Sequence, residues 1–363
     1  MTTHKILVDA REFVLHKKTG IGRFLEGLLD AIIHANLDVE IILATPCISA
    51  VPHKLTGNKR MVVREVPPGF ISDEKTLSDL TKKNVRLFLS PYPKLPLFGT
   101  GCSSVNTVHD IQYLTHPAYK KGFTTLVQRF RLQAALKRSS LTWYDSSWSL
   151  KETERYVGFV GKNPKIRHLA IDERFRPSET KDDDAVLENY QLQSGYIIIV
   201  GNGLPHKNLG VLLGVAPELS RDLVFLGVSE ENRKYWQSRY PDAQPKWIEY
   251  VQDQNLPAVL RKAFCLAQPS TSEGYGYPPL EAMACGVPAV ISNIPVLIET
   301  TGGQALAADP HGSSEWIKAF EALENRDIYQ AQVENSLKWV EPLRGPRGWR
   351  KHVTDIEELL KGL

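Results

Sequence analysis

Residues 269–288 read PSTSEGYGYPPLEAMACGVP. Two carboxylates, Glu273 and Glu281, stand eight positions apart in this stretch, with Gly274-Tyr275-Gly276 between them as a turn and a helix expected to begin near Pro278 or Pro279. Glycine lets backbone approach a ligand closely, and proline is tolerated in a first helical turn because its missing N–H is unpaired there anyway. The N–H groups of Leu280 and Glu281 would then point out of the helix start, a place suited to phosphate. Pro278 and Pro279 donate nothing, so backbone contacts to a ligand must come from Gly274 to Tyr277 or from Leu280 onward. One short segment thus offers a loop carboxylate, backbone donors and a carboxylate in a first helical turn. The other reading of the same residues is a plain loop before a helix, with both glutamates as surface caps.

The runs on either side decide the fold. Phe264–Gln268 precedes the stretch and Pro288–Ser292 closes it, both short and apolar. The same rhythm recurs upstream at Tyr196–Val200, Leu223–Gly227 and Trp247–Val251. In the first half it appears at Lys5–Ala10, Val39–Thr45, Met61–Val66, Val85–Ser90, Val105–His109, Leu141–Ser146 and Lys165–Ala170. Short runs rich in Val, Ile and Leu, separated by helical segments, predict mostly parallel sheets covered on both faces. The fold class is therefore α/β, with two doubly wound domains.

A length of 363 residues agrees, since single cores stop growing at roughly 250–300 residues. The polar stretch Asp172–Asp184, with Pro177, reads as the linker. Residues 1–175 and 176–348 are then the two domains. Its Asp182-Asp183-Asp184 matches a metal-binding Asp-x-Asp only formally. It precedes an apparent helix at Ala185–Tyr190 instead of ending a strand, and so reads as a solvated helix start. Trp349–Leu363 places Val353, Ile356, Leu359 and Leu360 at helical spacing and should bury one face.

Composition narrows the function classes. No run of about 18 apolar residues occurs, and the N-terminus lacks a signal-peptide core. Cys47, Cys102, Cys265 and Cys285 are scattered without metal-ligand spacing, which suits a reducing cytoplasm with neither zinc site nor disulfide framework. The net charge of +3 conceals an asymmetry: residues 1–175 carry 26 Lys+Arg against 16 Asp+Glu, and residues 176–363 carry 18 against 25. A basic first half can attract an anionic acceptor or membrane surface, or can simply be a solvated face. No recognised nucleic-acid-binding motif and no regular basic-aromatic interleaving is present, so nucleic acid is not an expected partner. In the segment Tyr119–Ser140, Lys120, Lys121, Arg129, Arg131, Lys137 and Arg138 alternate with Phe123, Leu126, Val127, Phe130 and Leu132. An amphipathic helix follows, whose apolar face is expected in the core, with contact to a lipid surface as the alternative.

The run EGYGYPPLEAMACGVPAV, residues 273–290, resembles the Glu-x7-Glu signature of family 4 retaining glycosyltransferases, among them bacterial mannosyltransferases. The resemblance implies a GT-B fold, two Rossmann-like domains facing each other across a cleft. It implies a nucleotide-sugar donor, GDP-mannose or a UDP-sugar, with no metal and no further cofactor. Glu273 would lie by the hexose hydroxyls and Glu281 on the ribose hydroxyls. The last helix, residues 349–363, would return to the first domain and make it discontinuous.

Three further loops take meaning beside this one. Lys18-Thr19-Gly20-Ile21-Gly22-Arg23 follows the first strand, and Gly20 and Gly22 would expose backbone N–H groups at a helix start near Ile21. It is no dinucleotide fingerprint, because the third glycine position is Leu25. It is similar to the family's loop facing the donor phosphates, with Arg23 beside them. Thr107-Val108-His109-Asp110 ends a strand, where open α/β sheets place ligands. His109 can donate a hydrogen bond or relay a proton, and Asp110 can orient it or cap the next segment. TVHDIQYLTHP is similar to the family segment that reaches the transferred sugar. Gly201-Asn202-Gly203-Leu204-Pro205-His206-Lys207-Asn208 follows another strand, and the Lys207 ammonium suits a departing diphosphate. The commonest family pattern has Arg where this chain has Asn202, leaving one cation from this loop.

The expected activity is retaining transfer of a hexose, mannose favoured, from a nucleotide sugar to a saccharide or lipid-linked acceptor in cell-surface polysaccharide or glycolipid synthesis. The expected location is cytoplasmic, with peripheral contact at the membrane's inner face. A sugar-nucleotide epimerase, a phosphorylase or a non-catalytic nucleotide-sugar-binding subunit would share the fold.

Overall fold

Strand order reverses once in each of two parallel sheets, and those reversals locate the sites. The computed structural model describes residues 4–15, 19–67, 69–119 and 122–362, so Lys18, Lys120 and Lys121 lie outside the described residues. The first sheet contains β1 His4–Asp9, β2 Val39–Thr45, β3 Met61–Glu65, β4 Leu87–Ser90, β5 Ser103–Val108, β6 Leu141–Tyr144 and β7 Pro164–Ile166. Their spatial order is β3-β2-β1-β4-β5-β6-β7. The second contains β8 Ile197–Val200, β9 Leu223–Leu226, β10 Lys246–Ile248, β11 Cys265–Gln268, β12 Ala289–Ser292 and β13 Leu306–Ala308, ordered β10-β9-β8-β11-β12-β13. Register pairs Ile6 with Leu87 across β1 and β4, and Cys265 with Ile197 across β11 and β8. Each apolar run read from the sequence forms a strand, trimmed or shifted at its ends; Leu306-Ala307-Ala308 was too short to stand out.

The chain divides into residues 1–170 with 345–363, and residues 171–344. These joints lie a few residues before the expected 175/176 and 348/349. The cause is local: Ile171 donates its N–H to Leu343 O at 2.8 Å and bridges Arg344, which ties both ends of the second unit together. In that unit Ile197, Ile199, Phe225, Cys265, Ala267 and Val290 pack against Leu212, Leu213, Trp316 and Phe320. In the first, Leu7, Phe88 and Leu77 form one core cluster, and Val108, Leu132, Leu136 and Tyr144 another.

The C-terminal helix Arg350–Lys361 belongs to the first unit and buries Val353, Ile356 and Leu360. Asp355 anchors it, accepting from Trp143 Nε1 at 2.9 Å, Arg167 Nε at 2.7 Å and Lys165 Nζ at 2.7 Å. Burial alone would raise this carboxyl, but the hydrogen bonds from Arg167, Lys165 and Trp143 hold it below the usual carboxylate value. Trp349 packs so closely on the helix Gly20–His34 that a Cβ at Gly27 would stand 2.8 Å from its ring.

Two expectations need correction. Phe123, Leu126, Val127 and Phe130 are not core residues: all four are exposed, and the helix Gly122–Arg138 buries only its later residues Leu132, Ala135 and Leu136. Asp183 is not solvated either. It starts the helix Asp183–Asn189 fully buried, held by Arg261 Nη2 at 2.6 Å and Nε at 2.7 Å, while Asp184 pairs with Lys262 at 2.9 Å. A cation 78 residues away in sequence gives no local signal. Among the described residues no group of three or more His, Cys, Asp or Glu is placed to hold a metal ion.

Candidate active site

In open α/β sheets ligands bind beyond the carboxyl ends of the strands where the order reverses. In the second sheet those strands are β8 and β11, which are paired neighbours. Gly201–Asn208 leaves β8, and Pro269–Gly276 leaves β11. Two contacts staple the loops together: Thr271 N–H donates to His206 O at 2.8 Å, and the Asn208 amide donates to Pro269 O at 3.0 Å and Pro310 O at 2.7 Å. Asn208 takes a left-handed conformation, φ 53°, which ends the turn Pro205–Lys207. Lys207 therefore lies at the end of a short 3-10 turn, with its stem over Gly201, where a Cβ would touch Lys207 Cδ at 3.4 Å.

This stapling brings Lys207 Nζ to 2.7 Å from Glu273 Oε1. The same oxygen accepts from Gln268 Nε2 at 2.6 Å and Ser270 Oγ at 2.6 Å. Burial would raise the Glu273 carboxyl, but the charge and hydrogen bond of Lys207, with the Ser270 hydroxyl, hold it below the ordinary carboxylate range. Glu273 is thus a fixed, ionised acceptor. An ammonium has three donors, of which Glu273 takes one, so Lys207 can bind a further anionic oxygen without leaving it. Gln268 and Ser270 were not singled out in the sequence, although Ser270 lies three residues before Glu273.

The helix after this loop runs Tyr277–Ala284 with Gly276 as its N-cap, earlier than expected. Gly276 has φ +89°, and a Cβ there would stand 2.5 Å from Leu297 Cδ2, so only glycine fits. Helical geometry then gives the Leu280 N–H to the Gly276 carbonyl and the Glu281 N–H to that of Tyr277, so neither aims outward. The first-turn donors belong to Gly276 and Tyr277. Glu281 falls in the second turn and is buried. Tyr275, also buried, meets Tyr277 edge-on, with ring centroids 5.6 Å apart. Asn202 is exposed, with its oxygens engaged at the loop surface: its Oδ1 accepts from Leu204 N–H at 3.2 Å, and its carbonyl from Asn232 Nδ2 at 2.8 Å.

In the first sheet the order reverses between β1 and β4, with β5 next to them. His109 follows β5. Its Nδ1 lies 2.6 Å from Asp145 Oδ2 and its Nε2 3.1 Å from Pro91 O, past the end of β4. The orienting carboxylate is therefore Asp145, after β6, and not Asp110, which caps the next turn by accepting from Gln112 N–H at 2.9 Å. Asp145 had a readable signal, an acid at the end of a strand run adjacent to β5. Burial opposes charge on His109, but Asp145, by charge and hydrogen bond, raises its pKa above the ordinary histidine value. Two acceptors, a carboxylate and a carbonyl, fit an imidazolium that donates from both nitrogens. Phe24 packs edge-on to the ring, with centroids 4.9 Å apart.

The helix bearing Gly20, Gly22 and Arg23 begins at Gly20, with Thr19 as its cap. Gly22 N–H donates to Thr19 Oγ1 at 3.0 Å, so that donor is engaged by the protein. Thr19 Oγ1 in turn donates to Glu12.

Residues 183–339 match the family model described as glycosyl transferases group 1. The chain is 32% identical over 219 residues to O-antigen chain mannosyltransferase B of Escherichia coli, covering 57% of this chain and 58% of that protein. It is 29% identical over 248 residues to O-antigen chain mannosyltransferase RfbU of Salmonella typhimurium, covering 66% and 65%. The matches thus span less than two thirds of either relative's length. Sucrose-phosphate synthase from Thermosynechococcus elongatus has a similar fold, with a TM-score of 0.77 at 15% identity over 99% of this chain and 98% of that one. Two parallel Rossmann-like sheets and the likeness to solved structures give the chain the GT-B fold, and its second unit is similar over residues 183–339 to the glycosyl transferases group 1 family.

Proposed function

We propose that the chain is a family 4 retaining glycosyltransferase that moves a hexose, mannose favoured, from a nucleotide sugar to a saccharide or lipid-linked acceptor in cell-surface polysaccharide or glycolipid synthesis. The observation that carries this reading is the Lys207–Glu273 pair, 2.7 Å apart where the second sheet reverses, inside the group 1 domain. Two O-antigen mannosyltransferases among the relatives favour mannose; the donor is GDP-mannose or a UDP-sugar.

The chemistry needs a diphosphate to depart as positive charge develops at the anomeric carbon. Lys207 supplies a fixed cation for the departing oxygens, and stabilising the negative charge that builds on them is the main way such a site lowers the barrier. The acceptor oxygen bonds to the anomeric carbon on the face from which the diphosphate leaves. The carbon–oxygen bond to phosphate breaks, and the acceptor's proton passes to the released phosphate oxygen. No metal is assigned a step. Glu273, tied by three donors, orients hexose hydroxyls and is not the nucleophile of a double displacement. Glu281 is the nucleotide anchor. His109 contributes a ring N–H to the transferred sugar, exchanging the Pro91 carbonyl for a hydroxyl. The protein works in the cytoplasm, with peripheral contact at the membrane's inner face.

The test is incubation of the purified chain with GDP-mannose and with UDP-sugars, with and without a mannose-containing acceptor. Nucleoside diphosphate released in step with a lengthened saccharide is the expected result. Binding and turnover both absent, or an epimerised donor formed without acceptor, would overturn the reading.

A further inference from the structure

The helix Gly122–Arg138 spends apolar side chains on solvent. Phe123 is 79% exposed, Leu126 63% and Phe130 68%, and with Val127 they follow a helical spacing that places them on one stripe. A groove on this face is lined by Leu126, Val127, Arg129, Phe130 and Gln133. The helix has no acidic residue, whereas Arg129, Arg131, Lys137 and Arg138 are basic.

Buried Glu74 joins this helix to two other segments that also expose large apolar residues. It accepts from Arg131 Nη2 at 2.7 Å and from Leu97 N–H at 3.0 Å. Leu97 and Phe98 are exposed beside that contact, and Ile71, one turn before Glu74, is 66% exposed. Isolated apolar residues on a surface are ordinary, but an exposed apolar stripe along one helix, with further exposed apolar residues on two segments joined to that helix through Glu74, marks an interaction surface.

Charge selects the partner. The first unit has 29 Lys+Arg against 17 Asp+Glu, a net +12, while the second has 15 against 24. A second copy seated on this face would bring Arg129 and two +12 units together, which opposes self-association. An anionic surface is attracted by the same field. Basic residues flanking exposed aromatics are the composition of an element lying in a lipid interface. Among the described residues no helix is long and apolar enough to cross a membrane.

We propose that Phe123, Leu126, Val127 and Phe130, with Ile71, Leu97 and Phe98, insert into the headgroup region of an anionic lipid bilayer while Arg129 meets its phosphates. This assigns a surface to the membrane contact of the reading above, and rests on that reading only for a lipid-linked acceptor.

The experiment is sedimentation of the full chain with phosphatidylcholine vesicles, with and without roughly 30% phosphatidylglycerol. Binding at least about tenfold stronger to the anionic vesicles, weakened by salt, is expected. The double substitution Phe123→Ser with Phe130→Ser should lower it by about tenfold or more with unchanged thermal unfolding, since both rings are exposed. Transfer to a water-soluble saccharide should be the same in both proteins. No binding to anionic vesicles, equal binding by the variant, or a wild-type dimer that the variant abolishes would each overturn the proposal. Soluble transfer retained beside failed vesicle binding removes this inference and leaves the proposed activity standing; vesicle binding without any transfer does the reverse.

Discussion

Lys207 Nζ and Glu273 Oε1 lie 2.7 Å apart on loops that leave adjacent strands, 66 residues apart in sequence. Glu273 is the more buried partner and has two neutral donors besides the lysine. Lys207→Met therefore leaves a buried carboxylate short of its cation, at a cost of about 3 kcal/mol. Glu273→Gln keeps an acceptor for Ser270 and Gln268, leaves a more accessible ammonium and should cost less. In urea unfolding the double variant should be less destabilised than the sum of the singles by about 1 kcal/mol or more. Strict additivity would mean that the pair contributes nothing as a pair.

Glu273 and Glu281 should separate kinetically. Glu273 is held where a hexose would be oriented, whereas Glu281 stands in the second turn of the following helix. Under the proposed roles, Glu281→Ala weakens donor nucleotide binding about tenfold, the loss of one or two hydrogen bonds, with a smaller change in kcat. Glu273→Ala lowers kcat more than it changes nucleotide affinity. Calorimetric titration with nucleoside diphosphate and steady-state kinetics read the two separately; identical profiles for both variants would remove the division of roles.

Periodicity made the fold legible because parallel strands buried on both faces are continuous apolar runs, and LTWY and CLAQ are found fully buried as β6 and β11. The site was legible in its loops and less so in its contacts. Asp145 stands legibly at the end of a strand run, but it and Asp183 gain their roles from partners 36 and 78 residues away, and no local pattern encodes those pairings. The helix at residue 277 began early because Gly276 turns the chain with a positive φ, a backbone event that two consecutive prolines obscured. The stripe of Phe123, Leu126 and Phe130 has the spacing of a core face, and periodicity cannot say whether protein covers it.

His109 should titrate as a partner of Asp145. A histidine whose folded pKa is raised contributes stability below its unfolded value, near 6.5, and loses that contribution as pH rises through the folded value. Asp145→Asn removes the charge that raises it. The variant should then be most destabilised at about pH 6 and approach the wild type in alkali, where the imidazole is neutral in both. Stability measured across this range, with NMR titration of the His109 ring, checks the sign. An Asp145→Asn deficit that does not shrink with rising pH would show that the carboxylate serves packing alone.

His352 predicts the opposite limb. It is buried between Trp143 and Trp349, with ring centroids 4.9 Å from each, and neither ring nitrogen has a hydrogen-bonding partner among the described residues. Burial, then the positive charge of Arg167, push its pKa down to about 3, although Asp355 pulls the other way. Between this value and about 6.5 the unfolded chain takes up a proton that the folded chain refuses. Stability therefore falls with acidification by up to about 1.4 kcal/mol per pH unit from this group. Glu273 and Asp355, whose carboxyls are held low, add their own losses only at lower pH, as it falls below the unfolded carboxylate value. His352→Phe keeps an aromatic ring against Trp143, Trp349 and Phe24 and cannot be protonated. Its stability should decline less than that of the wild type between pH 6.5 and about 4.5, the window in which histidine alone is titrating. Parallel acid limbs for the two proteins would mean that His352 is protonated in the fold, with a partner that this buried packing does not provide.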